Sequence, residues 1–158
     1  MSKYRTIEGD MRVANARFAI LAARFNGFIV ERLVDGAVDT LRRHGAEPAD
    51  LHVLRVPGAW ELPVAARRVA DSGRYDGVVA LGCVIRGATP HFDYVCSEAS
   101  RGLGQVAEDS RLPVGFGVLT VDTAEQATER ASGKVGNKGA EAALAVIEMV
   151  NLLRRIEG

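Results

Sequence analysis

The sequence predicts a doubly wound α/β domain: three αβα layers, with helices on both faces of a four-stranded parallel sheet. Three observations predict it. Four short apolar runs, Phe18–Ala23, Leu51–Val56, 77–81 and 113–121, are continuous rather than alternating, as expected of strands covered on both faces. Helical patterns separate these runs, and such alternation calls for right-handed crossovers. No repeat, low-complexity tract or linker interrupts the 158 residues, so the chain reads as one domain over 1–158 with an N-terminal arm over 1–16.

Each helix has its own signature. The first, 29–44, sets Leu33, Val34, Ala37, Val38 and Leu41 on one stripe and stops at Gly45. The second, 61–72, stops at Gly73. The third opens at Thr89, an N-cap residue type, followed by Pro90 at the favoured first position, and runs to about 108. Asp122-Thr-Ala-Glu125 reads as a capping box opening a fourth helix that ends near Gly133. The fifth, 138–156, is apolar around most of its cylinder: Ala140, Leu144, Ile147 and Val150 line one face, while Ala145, Val146, Met149 and Leu152 spread over others. Such a helix needs cover on nearly every side, from its own core or from another subunit. The segment 11–16 is too short and polar for a core and reads as an edge strand, added to its own sheet or to a neighbour's.

Composition excludes several function classes. Lys+Arg and Asp+Glu balance at 20 each, which argues against a nucleic-acid partner. The two cysteines, Cys83 and Cys96, form neither a CxxC pair nor a ligand cluster, so no metal site and no disulfide framework is expected. The charged first dozen residues do not resemble a secretory signal, and no apolar run is long enough to span a bilayer. The expected location is the cytoplasm, without membrane contact.

Ligands in open parallel sheets bind beyond the carboxyl ends of the strands, and these ends are conspicuously marked. They read Arg24-Phe25-Asn26-Gly27, Pro57-Gly58-Ala59-Trp60-Glu61 and Cys83-Val84-Ile85-Arg86-Gly87-Ala88-Thr89, with Phe116-Gly117-Val118 in the fourth strand. All four tips are expected to face one crevice. Phe25 suits stacking on a planar ring, or plugging the start of a helix. Asn26 suits a heterocycle's hydrogen-bonding edge, or a helix cap. Ala59, Trp60 and Glu61 offer backbone groups and a carboxylate at a helix start, where a carboxylate is also simply a good dipole partner.

The start of the third helix is the strongest signal. A helix N-terminus offers free N–H groups and partial positive charge, a ready anion site. Arg86 and the later cations make that anion a phosphate. His91, just beyond Gly87, Ala88 and Thr89, is the acid/base candidate, because imidazole takes and gives protons near neutral pH. Cys83, a small thiol at a strand end, reads as inert packing rather than a nucleophile. Arg130 and Lys138 sit at helix ends, where they can grip a phosphate or merely meet solvent.

Five motifs in this order resemble the lumazine synthase family: Arg24-Phe25-Asn26, Pro57-Gly58-Ala59-Trp60-Glu61-Leu62-Pro63, the 82–95 run through Thr89-Pro90-His91, Gly115-Phe-Gly-Val-Leu-Thr120 and Gly136-Asn-Lys-Gly139. The resemblance implies a flavodoxin-like fold, no cofactor, and two small-molecule substrates, a ribitylaminouracil and a butanone phosphate. It implies that Phe25, Asn26, Ala59, Trp60, Glu61, Cys83, Val84 and Ile85 bind the uracil. Gly87, Ala88, Thr89 and Arg130 would hold the phosphate, and His91 would transfer protons. Phe116 and Arg130 would act across a subunit interface, and Lys138 would lie near the substrate. It also implies a homopentamer, which some members extend to a decamer or a 60-subunit icosahedral shell. The short Ala131-to-Asn137 connection resembles the shell-forming members. Pro90 stands where threonine is common, and Trp60 is bulky for its motif. Two further readings share the fold: a flavin- or phosphate-binding module without turnover, and a cage or carrier protein. A thiol enzyme using Cys83 with His91 is a third.

Overall fold

The computed structural model describes residues 3–132 and 136–158. Four parallel strands, β1 (Phe18–Ala23), β2 (Leu51–Val56), β3 (Gly77–Ile85) and β4 (Val114–Val121), lie in the order β2-β1-β3-β4. Five α-helices follow them: α1 (Gly27–Arg43), α2 (Leu62–Ser72), α3 (His91–Ser110), α4 (Ala124–Ser132) and α5 (Lys138–Glu157). The expected three-layer, flavodoxin-like α/β fold is therefore present.

The layers follow from side-chain alternation along the strands. Phe18, Ile20 and Ala22 of β1 point into one core with Ile29, Val30, Leu33 and Leu41 of α1 and Ala143, Val146 and Ile147 of α5. Ala19, Leu21 and Ala23 point into the other, with Leu62, Ala66 and Val69 of α2 and Val95, Ala99 and Leu103 of α3. All six residues of β1 are buried, which is why this strand shows no polar face. Burying each of Phe18, Ile20, Leu21, Leu33 and Leu62 contributes about 1.5–3 kcal/mol before the entropic cost of ordering the chain.

The connection from β1 runs outward to β2 and the one from β3 runs outward to β4, so the strand order reverses between β1 and β3. That switch point opens a crevice at the carboxyl edge. The register pairs Ala22 with Leu81, and β3 runs on for four residues beyond it, carrying Cys83, Val84 and Ile85 past the tip of β1.

Helix ends agree with the punctuation of the sequence at two places and differ at two. Gly45 and Gly73 end α1 and α2 with φ of 112° and 67°, values that glycine adopts freely. Thr89 is not the N-cap of α3. Pro90 holds that place with φ −70° and ψ 2°, and the Asp93 and Tyr94 N–H groups donate to its carbonyl. The fourth helix also starts one residue later than expected. Its box is Thr123 with Gln126: the Gln126 N–H donates to Thr123 Oγ1 at 3.1 Å, and Gln126 Oε1 accepts from the N–H groups of Asp122 and Thr123 at 2.7 and 3.3 Å. Gln126 serves because it stands three residues after Thr123, the position from which a side chain reaches back over the first turn, whereas Glu125 is one residue short of it and exposed.

The arm corrects another expectation. Residues 11–16 form no strand within the chain, and Val13 and Ala16 are buried in the α1/α5 core. Polarity misled here because the backbone polar groups of the arm are satisfied by α1 and α5 instead of a sheet. The Val13 N–H donates to the His44 carbonyl, Asn151 donates to the Asp10 and Arg12 carbonyls, and Arg154 donates to those of Ala14 and Asn15. On α5, Ala142, Ala143, Val146, Ile147 and Val150 are buried, while Ala145 and Met149 are exposed. The apolar cylinder is thus covered on one side only within the chain. Residues 133–135 of the Ala131-to-Asn137 connection lie outside the described residues.

Candidate active site

A cavity of about 770 Å³ opens at the switch point. It is lined by Phe25 and Asn26 from the tip of β1, Ala59, Trp60 and Glu61 from the one-turn helix after β2, and Cys83, Val84 and Ile85 from β3. Gly87, Thr89 and His91 complete the rim from the loop entering α3. Eleven of the sequence-derived candidates therefore share one wall-to-wall space.

Backbone hydrogen bonds hold the rim together. The Arg24 and Phe25 N–H groups donate to the Val56 and Pro57 carbonyls at 2.8 and 3.0 Å, which ties the tips of β1 and β2. Asn26 adopts the left-handed conformation at φ 59°, and its side chain does not cap α1. Its Nδ2 instead donates to the Cys83 carbonyl at 2.8 Å, bridging β1 to β3 across the crevice floor. Phe25 is 71% exposed and Trp60 54% exposed, so both aromatic faces are open and the plug reading of Phe25 fails. A group stacking on either would gain apolar contact that water now occupies.

His91 is the first residue of α3, exposed at the lip of the cavity. The positive end of the α3 dipole lies at His91, so negative charge is favoured beside the imidazole. Phe92, Tyr94 and Val95 also line the cavity, though the sequence reading did not single them out. Tyr94 was legible in principle: it lies three residues beyond His91 and so shares its helix face.

Other candidates lie elsewhere. Ala88 is exposed and does not line the cavity, although Gly87 and Thr89 on either side do. Arg86 is not a free cation for a phosphate. Its Nε donates to Asp122 at 2.8 Å, its guanidinium lies 3.7 Å from Asp93, and it stacks 4.4 Å from the Phe92 ring centroid. The hydrogen bond it donates to Asp122 holds this guanidinium still more firmly protonated. Arg130 lines a separate pocket of about 350 Å³ with Arg86, Gln126 and Thr120. Phe116 faces the α2/α3 side of the edge strand opposite Ala80, well short of its carboxyl end. The tip of β4 thus does not join this crevice, because Thr120 and Val121 open on the Arg130 pocket instead. Lys138 is half-buried at the start of α5, away from the cavity lining.

Cys83 is 3% exposed, and burial pushes its thiol up to about 11. The thiol therefore stays protonated, and weakly nucleophilic, throughout the neutral range. Cys83→Ala is expected to leave turnover close to that of the parent chain, and a thiol alkylating agent at neutral pH is expected not to inactivate it. Rapid inactivation by such a reagent that Cys83→Ala abolishes would restore the thiol-enzyme reading. Among the described residues no cluster of His, Cys, Asp or Glu is grouped to hold a metal ion, and no helix is long and apolar enough to cross a membrane.

Comparison with known proteins agrees with this geometry. The sequence profile of the 6,7-dimethyl-8-ribityllumazine synthase family matches residues 15–154. A 6,7-dimethyl-8-ribityllumazine synthase of Nitratidesulfovibrio vulgaris strain Miyazaki F is 56% identical over 156 residues, covering 99% of this chain and all of the relative. The proteins of the same name from strains DP4 and Hildenborough are 54% identical over the same span. The chain, with its aromatic crevice, its histidine at a helix N-terminus and its full-length match, belongs to the 6,7-dimethyl-8-ribityllumazine synthase family.

Proposed function

We propose that this chain condenses 5-amino-6-(D-ribitylamino)uracil with 3,4-dihydroxy-2-butanone 4-phosphate to give 6,7-dimethyl-8-ribityllumazine, phosphate and water, the penultimate step of riboflavin biosynthesis. The observation that carries it is the single cavity joining Phe25, Trp60, Glu61 and His91 in a chain of this family.

The reaction needs placement and proton transfer more than exotic chemistry. The amine adds to the ketone and water leaves as an imine forms. Phosphate departs with the C–O bond electrons, the resulting enol tautomerises, and the second amine closes the ring with loss of another water. Phe25 stacks on the pyrimidine. Asn26, Glu61 and the backbone of Ala59, Trp60 and 83–85 take the polar edges and the ribityl chain. Gly87 and Thr89 cradle the phosphate at the start of α3. His91 moves protons during imine formation and phosphate loss. Much of the acceleration comes from holding two substrates in register.

Phe116, Arg130 and Lys138 act from a neighbouring subunit in this reading, within a pentamer that also covers the exposed side of α5 and can assemble further into a shell. What supports it is that none of the three lines the crevice of its own chain, while Phe116 and Met149 stay exposed at 39% and 41%. The proposed compartment is the cytoplasm. The test is to mix the purified protein with both substrates and follow lumazine absorbance and fluorescence against the spontaneous rate. Acceleration that weakens on Arg130→Ala supports the synthase. A folded, oligomeric protein that binds flavin but gives no acceleration would leave a binding module instead.

A further inference from the structure

Asn137 contributes nothing to the cavity, yet its side chain makes more directed contacts than any residue in it. Its Nδ2 donates both hydrogens, to the Ala131 carbonyl at 2.6 Å and the Arg32 carbonyl at 2.9 Å. Its Oδ1 accepts from the Ala140 N–H at 3.0 Å, capping α5. One amide therefore joins three helices: the last turn of α4, the middle of α1 and the first turn of α5. Arg32 adds a second tie to the same joint, donating to Ser132 Oγ at 3.0 Å.

One glycine makes room for that amide, and a second lets α5 close on α1 beside it. A Cβ on Gly36 of α1 would stand on the Asn137 side chain, and a Cβ on Gly139 would overlap the Leu33 carbonyl of α1. The amide thus sits in a seat cut into α1, with every polar hydrogen and one acceptor lone pair engaged. A helix cap alone needs only the acceptor oxygen. The two donors address something else, the position of α4 relative to α5.

The residues flanking this joint are the two cations of the proposed site. Arg130 immediately precedes Ala131, whose carbonyl the amide holds, and Lys138 immediately follows Asn137. We propose that Asn137 is a positioning residue for the reaction: by pinning the end of α4 and the start of α5 to one point on α1, it fixes where Arg130 and Lys138 meet a phosphate-bearing substrate. This inference rests on the synthase reading above. It holds whether the two cations serve the crevice of their own chain or that of a neighbour, since the joint is internal to the chain.

Asn137→Asp separates the two roles. The carboxylate keeps the acceptor for Ala140 but loses both donors and faces two carbonyl oxygens. The expected result is a KM for the butanone phosphate raised about tenfold, with a smaller change in kcat, because a misplaced cation costs affinity for the anion it grips. Competitive inhibition by inorganic phosphate should weaken in parallel. In an Arg130→Ala, Lys138→Ala background the same substitution should have little further effect on that KM, since coupled residues do not add. Asn137→Ser, which keeps a cap and lacks the ties, should behave alike and serves if the aspartate variant does not fold.

Either of two results overturns the inference: variants that keep the parent KM and phosphate inhibition, or an effect that persists in full without both Arg130 and Lys138. A parent chain that fails to accelerate lumazine formation would instead overturn the synthase reading, so the two failures are distinguishable.

Discussion

Gly139→Ala is expected to destabilise the protein by about 3 kcal/mol, lowering the melting temperature by roughly 6–12 °C for a chain of this size. Gly139 is buried in the first turn of α5, where that helix crosses α1. A Cβ there would overlap the Leu33 carbonyl oxygen and lie 2.8 and 2.9 Å from the Leu33 carbonyl carbon and Cα. These are backbone atoms of a neighbouring helix, so no rotamer change relieves the overlap and the two helices must separate. Separation would open the packing of Leu33, Ala143 and Ile147, which fill the core below. Gly104→Ala is the control. Gly104 lies exposed in α3 with nothing within 4 Å of an added Cβ, so alanine there should stabilise by about 0.5–1 kcal/mol through reduced chain entropy. Thermal unfolding followed by circular dichroism, at matched protein concentration, decides it. Equal melting temperatures for Gly139→Ala and the parent chain would show that the α1/α5 crossing yields more readily than close packing implies.

Replacing His91 by alanine is expected to lower kcat about a hundredfold, at the lower end of what a positioned acid/base group supplies, without reaching the spontaneous rate. The imidazole sits at the lip of the cavity on the first residue of α3, and no other histidine is near it in use: His44 bonds the Met11 carbonyl, and His52 bonds Tyr75 and the Ala49 carbonyl at the opposite edge of the sheet. Its loss therefore leaves proton transfer to water. The wall residues Phe25, Asn26, Trp60 and Glu61 are unaffected, so both substrates still bind and the gain from holding them together persists. The measurement is steady-state kcat with both substrates saturating, beside the uncatalysed reaction. A folded variant at the spontaneous rate would make His91 indispensable, and a variant matching the parent chain would remove it from the chemistry.

The legible part of this protein was local. Continuous apolar runs determined four parallel strands, but only the inner strands β1 and β3 are buried over most of their length; β2, at the sheet edge, leaves Val53 and Arg55 exposed, so its apolar run did not mean cover on both faces. Gly45 and Gly73 determined where α1 and α2 stop, because glycine adopts positive φ without strain. The site at the switch point was legible for the same kind of reason: Phe25 and Ala59 to Glu61 lie just beyond the ends of β1 and β2, Cys83 to Ile85 form the end of β3 with Gly87, Thr89 and His91 just beyond it, and parallel strands deliver their ends to one edge.

Tertiary structure alone decided the rest, and each case turns on contacts distant in the chain. Arg86 read as a phosphate ligand until Asp122, thirty-six residues away, was seen to hold it. Asn26 read as a cap or a ligand, whereas its amide spans fifty-seven residues to the Cys83 carbonyl. The arm read as too polar to bury, since nothing local shows that Asn151 and Arg154 answer its carbonyls from the far end of the chain. Asn137 stood in the sequence only as a member of the 136–139 motif, because its worth lies in the Arg32 carbonyl, one hundred and five residues away. Periodicity and turn chemistry record what a residue does for its own segment. Which polar group a side chain meets across the molecule is settled only when packing of the helices and strands brings distant segments side by side.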